Sequence, residues 1–352
     1  MANFSASNLV AAQTQLVEQF TKPEMREKVL PTMQIGLQNQ SVTIQNINEM
    51  RKREDRPVYG YAMKRQVRTP GSQRTYNHTG SYGDSMQMTF SWTTYSDTFA
   101  ISLKQLDTNV FSFNQALAQN FKNCILNIHS QIESDAISYL LTNRTQVVKA
   151  SATAPAPAIL NWNGTNYAYE ISSGYDKQFT QYAKIAMLAN YYNMPTFDAI
   201  YDLNTYSYSE FWASQGAGNY QNTAFQFTGM EINPSIELTD ANYRNGVALV
   251  MPKGTYAMIP WIPKQNRDGY GDYNTYNGGF GSFIDPVTNP GGIYTGGLIF
   301  AVHGYALRAD ESSYNSVNQD LQMQFEVSVD IANALTPLST SNESVVYEIA
   351  QL

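Results

Sequence analysis

Between Leu106 and Leu141 apolar residues recur at every third or fourth position: Leu106, Val110, Phe113, Leu117, Phe121, Cys124, Ile125, Ile128, Ile132, Ala136, Leu140 and Leu141. Neither Pro nor Gly interrupts Phe113–Thr142. This periodicity predicts one amphipathic helix of about thirty residues, roughly 45 Å long at 1.5 Å per residue. Ser112 and Gln115 have the spacing of a capping box at its start. Phe113, Leu117, Phe121, Ile125, Ile128 and Ile132 form its core-facing stripe. Nearer the N-terminus the signals are shorter. Ser7 is placed to cap a helix with Leu9, Val10, Leu16, Val17 and Phe20 on one side. Thr21, Pro23 and Glu24 predict a second short helix ending before Pro31. Neither can form a core alone.

Helical periodicity disappears between about residues 45 and 100. From Ser85 to Ile101 the pattern alternates instead, with Met86, Met88, Phe90 and Trp92 in one phase and, after a shift, Phe99 and Ile101 in the other. Alternation of period two predicts extended strands. Together with Pro57–Val67 they predict a long β-hairpin whose Gly/Ser/Tyr-rich tip lies around Thr69–Asp84. A two-stranded ribbon is marginal by itself and needs a partner surface.

Residues 148–164, rich in Ala and Pro, form the best internal boundary. Beyond it come a helix over Tyr175–Asn193, a strand Phe197–Tyr201 and a helix over Tyr206–Ala213. The strand Ala224–Asn233 stops at Pro234, and Gly246–Val250 and Gly254–Ile259 follow. This order suggests a compact α/β or α+β unit. Residues 264–296, dominated by Gly, Tyr, Asn and Asp, read as a long loop. Its Asp268 and Asp272 lack the regular ligand spacing and closing Glu of a calcium loop. The chain ends in strands at Leu298–Leu307, Leu321–Ile331 and Val345–Ile349. The alternation of Met323, Phe325, Val327, Val329 and Ile331 is the cleanest β pattern present.

Composition narrows the function. The chain has 352 residues, of which 43% are hydrophobic and only 14% charged. Soluble domains usually carry about 25% charged residues. Twenty-five Tyr, with abundant Asn, Gln, Ser and Thr, fill the difference. Such a surface suits a chain that covers its flanks with copies of itself. One Cys and three scattered His leave no disulfide framework and no multi-Cys zinc site. No basic and apolar leader occupies the N-terminus, and no apolar run approaches the ~20 residues of a membrane span. Nucleophile-elbow and phosphate-loop motifs are absent from the sequence, so no catalytic, cofactor or metal residues are assigned.

The net charge is -7, but it is unevenly placed. Arg51, Lys52, Arg53, Arg56, Lys64, Arg65, Arg68 and Arg74 stand against only Glu54 and Asp55, a local excess of six positive charges. The rest of the chain therefore carries about thirteen negative charges. A dedicated nucleic-acid domain is usually basic overall. The basic hairpin is therefore expected to meet an acidic protein surface.

The order of parts resembles the Hong Kong 97-type major capsid protein of tailed phages. An N-terminal arm, a long charged hairpin, a very long helix, an α/β unit and returning strands follow one another over nearly the whole chain. Locally, Phe197–Asn204 followed by a helix and by Gly229-Met-Glu-Ile-Asn-Pro-Ser235 is similar to a stretch of that family's axial domain. The resemblance implies an α+β fold with an N-arm at 1–44 and an E-loop hairpin at 45–102. It implies a peripheral domain with spine helix at 103–172, an axial domain at 173–297 and returning peripheral strands at 298–352. It implies a structural protein, not an enzyme, that assembles as pentamers and hexamers into an icosahedral shell around double-stranded DNA. The implied partners are further copies of the chain, portal and scaffolding proteins, decoration proteins as a further candidate, and packaged DNA held without sequence preference. The implied location is the virion, after assembly in the host cytoplasm. No counterpart of the family's long scaffolding segment precedes residue 45, which implies a separate scaffolding protein or a segment missing from this chain. Lys52 and Lys64 lie where some relatives cross-link, without a matching acid–Asn pair. An encapsulin-like shell around an enzyme cargo shares the fold, and a carbohydrate-active protein or a tail or fibre protein are the remaining alternatives.

Overall fold

The computed structural model describes residues 6–21, 30–44, 46–47, 59–64, 71, 74, 83–102, 113–144, 161–171, 196–217, 230–263, 266, 278–290, 293–308, 321–336 and 346–352. The long helix α4 runs Phe113–Thr142, the thirty residues its periodicity predicts. Its inner face buries Leu117, Phe121, Cys124, Ile125, Ile128, Ile132, Ala136 and Leu140, while Phe113 is half-buried. Its outer face carries Gln115, Gln119, Asn123, Asn127, Ser130, Ser134 and Ser138, polar but uncharged. The helix closes on side-chain donors. Thr142 Oγ1 donates to the Ser138 carbonyl, Asn143 Nδ2 to that of Tyr139 and Arg144 Nε to that of Leu141. These satisfy carbonyls that a helix end leaves without partners.

Among the described residues three helices precede it: α1 (Ala6–Thr21), α2 (Pro31–Gln38) and α3 (Gln40–Thr43). Ser7 lies inside the first turn of α1 rather than before it, a two-residue difference at a helix end. The second short helix expected over residues 22–29 lies outside the described residues. Pro31, expected to follow a helix, instead opens α2. Proline suits the first helical position because its missing N–H would have no partner there. Leu30 precedes it without a side-chain cap. The acceptor comes from α4: the buried Glu133 carboxylate receives the N–H groups of Thr32 at 3.1 Å and Met33 at 2.9 Å. Ser235 Oγ donates to the same carboxylate at 3.3 Å.

Two larger sheets carry the body. The five-stranded sheet has the order β10-β11-β12-β3, built from Gly278–Ile284, Ile299–Arg308, Leu321–Leu335 and Trp92–Ser102. Its fifth strand, β9 (Tyr256–Trp261), pairs with the far end of β12. All its pairings are antiparallel. Its inner face meets α4 through Phe99, Phe283, Phe300, Phe325, Val327 and Val329. The six-stranded sheet has the order β4-β5-β13-β8-β6-β7. Its strands are Asn161–Asn163, Ala168–Ile171, Tyr347–Gln351, Val247–Pro252, Phe197–Tyr201 and Met230–Pro234. A helix α5 (Leu203–Ala217) follows β6, where Asp202 Oδ1 accepts the N–H of Thr205 at 2.8 Å.

Several expectations change. The residues of β10 belong to the segment expected as a loop. Glycine and aromatic composition hid a strand that exists because β11 pairs with it over its whole length. The last strand, β13, was expected among the returning peripheral strands. It lies instead inside the six-stranded sheet, parallel to β5 and antiparallel to β8. Residues 161–163, expected within the Ala/Pro-rich loop, form β4, and both β4 and β5, from the stretch expected to accompany the long helix, belong to that sheet as well. Sheet partnership is a long-range choice that alternation along one strand does not encode. The helix expected over Tyr175–Asn193 and residues 224–229 of the strand ending at Pro234 lie outside the described residues.

Segment 30–44 ties these parts together. Gly36 lets α2 approach β9 so closely that a Cβ there would stand 2.7 Å from Met258 Cβ. Asn39 Nδ2 donates to Asp198 Oδ2 of β6 at 3.1 Å, both groups buried. Thr43 Oγ1 donates to the Gly254 carbonyl at 2.8 Å.

Candidate intersubunit surface

The segment expected as a hairpin forms one. Strand β1 (Tyr59–Lys64) pairs antiparallel with β2 (Asp84–Thr89), from Tyr59 opposite Thr89 to Lys64 opposite Asp84. This two-stranded sheet joins neither of the larger ones. The continuous alternation of Ser85–Ile101 breaks at Phe90-Ser91, where β2 ends and β3 enters the five-stranded sheet. The phase shift read from the sequence falls later, inside β3, where Trp92 packs on one core and Tyr95, Phe99 and Ile101 on the other.

The two faces of the hairpin differ. The inner face is seated at its root by a small separate core of Ile44, Ile47, Met88, Phe90, Ile259, Ala332 and Ala334. Asn46 Oδ1 accepts the N–H of Tyr61 at 3.1 Å and covers part of the ribbon edge. The outer face of β1 presents Tyr59, Tyr61 and Met63, which are 44%, 45% and 76% exposed. Opposite them stand the exposed Thr89, Gln87 and Ser85. Large apolar groups thus face outwards beside Gly60, while Met88 and Phe90 are buried. A stripe of apolar side chains on a projecting ribbon marks a contact surface.

Sequence reasoning missed this stripe, although Tyr-Gly-Tyr-Ala-Met alternates large and small residues with period two. The signal was there, inverted relative to an ordinary half-buried strand. Of the basic residues assigned to this segment, Lys64 closes β1 and Arg74 is exposed. Arg51, Lys52, Arg53, Arg56, Arg65 and Arg68 lie outside the described residues. The residues of the α4 stripe serve the core and not the contact surface.

Gly60 decides how the ribbon seats. A Cβ at this position would stand 2.5 Å from Cζ of Phe90, whose ring is itself buried. Gly60→Ala is expected to push Phe90 out of the root core and cost about 1–3 kcal/mol. Limited proteolysis should then cut the ribbon faster than in the parent while the central core keeps its resistance. Unchanged cleavage would mean that the ring moves aside without cost.

The polar groups inside the body serve its joints. His129 Nε2 lies 3.0 Å from Asp285 Oδ2, both groups buried. Asp285 also accepts N–H groups from Val287 and Thr288. Burial pushes the Asp285 carboxyl up, but His129 and these donors outweigh it and hold it below the usual carboxylate range. Burial pushes the Cys124 thiol up to about 12, assisted by Asp97, so it stays protonated at neutral pH. Among the described residues no group of three or more His, Cys, Asp or Glu side chains is arranged to hold a metal ion. A cavity of about 510 Å³ lies between α1 and the sheet, where the ends of β9 and β11 meet along β12. Its walls include Gln13, Trp261, Phe283 and Tyr294.

No protein-family model matches the chain, and no curated protein matches it significantly. Among solved structures it is similar to a chain from Mycobacterium phage Che8 at 12% identity, covering 92% of this chain and 93% of that one, with a TM-score of 0.47. It is similar to a chain of the bacteriophage PhiM1 mature capsid at 9% identity, with 85% and 83% covered and a TM-score of 0.42. A chain of the Cyanophage Pam1 capsid is similar at 9% identity, with 86% and 87% covered and a TM-score of 0.44. All three are phage structures, and those of PhiM1 and Pam1 are capsids.

Proposed function

We propose that this chain is a major capsid protein of the Hong Kong 97 type, which closes with copies of itself, as pentamers and hexamers, around the DNA genome of a tailed phage. The observation that carries this reading is the projecting hairpin followed, after β3, by a thirty-residue helix. Among the described residues the hairpin is seated at its root, and it turns Tyr59, Tyr61 and Met63 outwards. Covering that stripe requires another molecule, and the low charge of the chain favours extensive contact with copies of itself. The N-arm, E-loop, peripheral and axial parts are proposed as drawn from the sequence, with β4, β5 and β13 reassigned to the axial sheet. Portal and scaffolding proteins are its proposed partners, and the virion is its proposed location. No helix among the described residues is long and apolar enough to cross a membrane.

The basic cluster is proposed to dock on an acidic region of a neighbouring subunit. Electron microscopy of the purified protein, with and without a candidate scaffold, tests both statements. The parent is expected to give closed shells, or rings of five and six subunits. Charge reversal at Arg51, Arg53 and Arg56 is expected to leave folded subunits, with an unchanged circular dichroism spectrum, that no longer assemble. A parent that stays monomeric under both conditions overturns the capsid reading. Normal shells from the charge-reversed variant overturn the docking role alone.

A further inference from the structure

Just beyond the C-terminal end of α4, one guanidinium faces two carboxylates. Arg144 Nη1 donates to Asp240 Oδ2 at 3.1 Å and also to Glu348 Oε2. Asp240 follows β7, and Glu348 lies in the interior strand β13 with its side chain 0% exposed. Both carboxylates thus accept from the same nitrogen, and Glu348 Oε1 is buried without a hydrogen-bond partner. A carboxyl group can donate to a second carboxylate only when it carries a proton.

We propose that Asp240 and Glu348 share a single proton opposite Arg144, and that this proton locks the end of the long helix onto the six-stranded sheet. The charges around the pair support this. The residues paired with Glu348 in the sheet, Ala168 of β5 and Leu249 of β8, bring no charge. Tyr243 also lies within reach of Glu348; burial pushes its phenol up to about 12, so it is neutral. Glu170 of β5 stands behind it, receiving the Tyr243 hydroxyl at 2.8 Å and Asn163 Nδ2 at 2.6 Å. With every acid ionised, one cation would face two anions in a largely buried site, with a third acid behind Tyr243. Desolvation penalises that arrangement severely, and uptake of a proton relieves it.

Glu348 holds the proton. Burial pushes its carboxyl up to about 8, Asp240 adds to the rise and Arg144 opposes it. Burial pushes Asp240 up as well, but Asn242, Glu348 and Arg144 outweigh it and hold it below its ordinary value. An unfolded Glu releases its proton near pH 4.3. Between there and about pH 8 the folded joint holds a proton that the opened one does not. Stability from this group is full below the lower value and is lost as the pH rises through the upper one. Below about pH 8 the helix and sheet are clamped; above it two carboxylates compete for one guanidinium.

Hydrogen exchange of residues 346–352 and 238–244 in the full chain tests the joint, with parent and Glu348→Gln compared at each pH. The neutral Gln stands in for the protonated acid. The ratio of parent to variant opening is expected to climb by up to tenfold per pH unit between about pH 6 and pH 8, then to level off. A ratio that stays constant over this range overturns the proposal. If the Gln variant does not fold, infrared titration of the parent supplies the test. The carbonyl band of a protonated acid should be present near pH 6.5 and disappear with a midpoint near pH 8. Absence of that band, or a band unchanged through alkaline pH, also overturns it.

Discussion

Replacing Phe121 by Ala is expected to lower the stability of the unassembled subunit by about 3–5 kcal/mol. The side chain is 1% exposed and stands where α4 meets the five-stranded sheet. Its ring lies 5.2 Å from Phe99, 5.1 Å from Phe283 and 6.0 Å from Phe325, centroid to centroid. Those partners also hold one another: Phe99 stacks on Phe325 at 5.0 Å and Phe283 on Phe300 at 5.4 Å. Truncation therefore opens a cavity bounded by rings that are already engaged and cannot collapse freely. Edge-on and tilted ring contacts add about 0.5–1.5 kcal/mol each beyond buried area. Because domains are stable by only about 5–15 kcal/mol, this one residue holds a large share of the total. Denaturant midpoints of parent and variant check it. A loss below about 1 kcal/mol would mean that the sheet closes over the gap.

Glu133→Ala is expected to have a comparable effect by a different route. The substitution leaves the N–H groups of Thr32 and Met33 buried without an acceptor, at about 1–3 kcal/mol for each. Burial raises the Glu133 carboxyl above its ordinary range, while three hydrogen bonds, from the Thr32 and Met33 N–H groups and from Ser235 Oγ, pull it partway back. The group is therefore held by its donors, and the donors by it. Glu133→Gln keeps one carbonyl acceptor and should fall between parent and Ala. Hydrogen exchange distinguishes this effect from a general weakening: protection should fall first over residues 30–44. Equal loss across α4 and both sheets would show that the cap is not specific to α2.

The longest local patterns were legible without any structure. A helix of thirty residues with unbroken 3.6-residue periodicity buries one face in almost any compact arrangement, so Phe113–Thr142 appears with the predicted ends. The alternation around Met323–Ile331 likewise forces a strand with one face in the core. Pro234 ends β7 because it cannot donate to a ladder. The hairpin followed from alternation and turn residues, and its register joins Tyr59–Lys64 to Asp84–Thr89.

Tertiary structure decided what pairs with what. Nothing within Tyr347–Gln351 specifies that it sits between β5 and β8, because backbone hydrogen bonds are the same for every partner. Gly278–Ile284 becomes a strand only when β11 is beside it. Helix α2 lacks a side-chain cap of its own and starts where Glu133, a hundred residues later, supplies the acceptor. Periodicity, which acts between neighbours along the chain, was enough to place the long helix α4 and the strand β12. The seating of the hairpin, the outward stripe of Tyr59, Tyr61 and Met63, and the meeting of Arg144 with Asp240 and Glu348 were decided only on folding. Those contacts join residues distant in sequence, and burial and charge neutrality select them only once the core has formed.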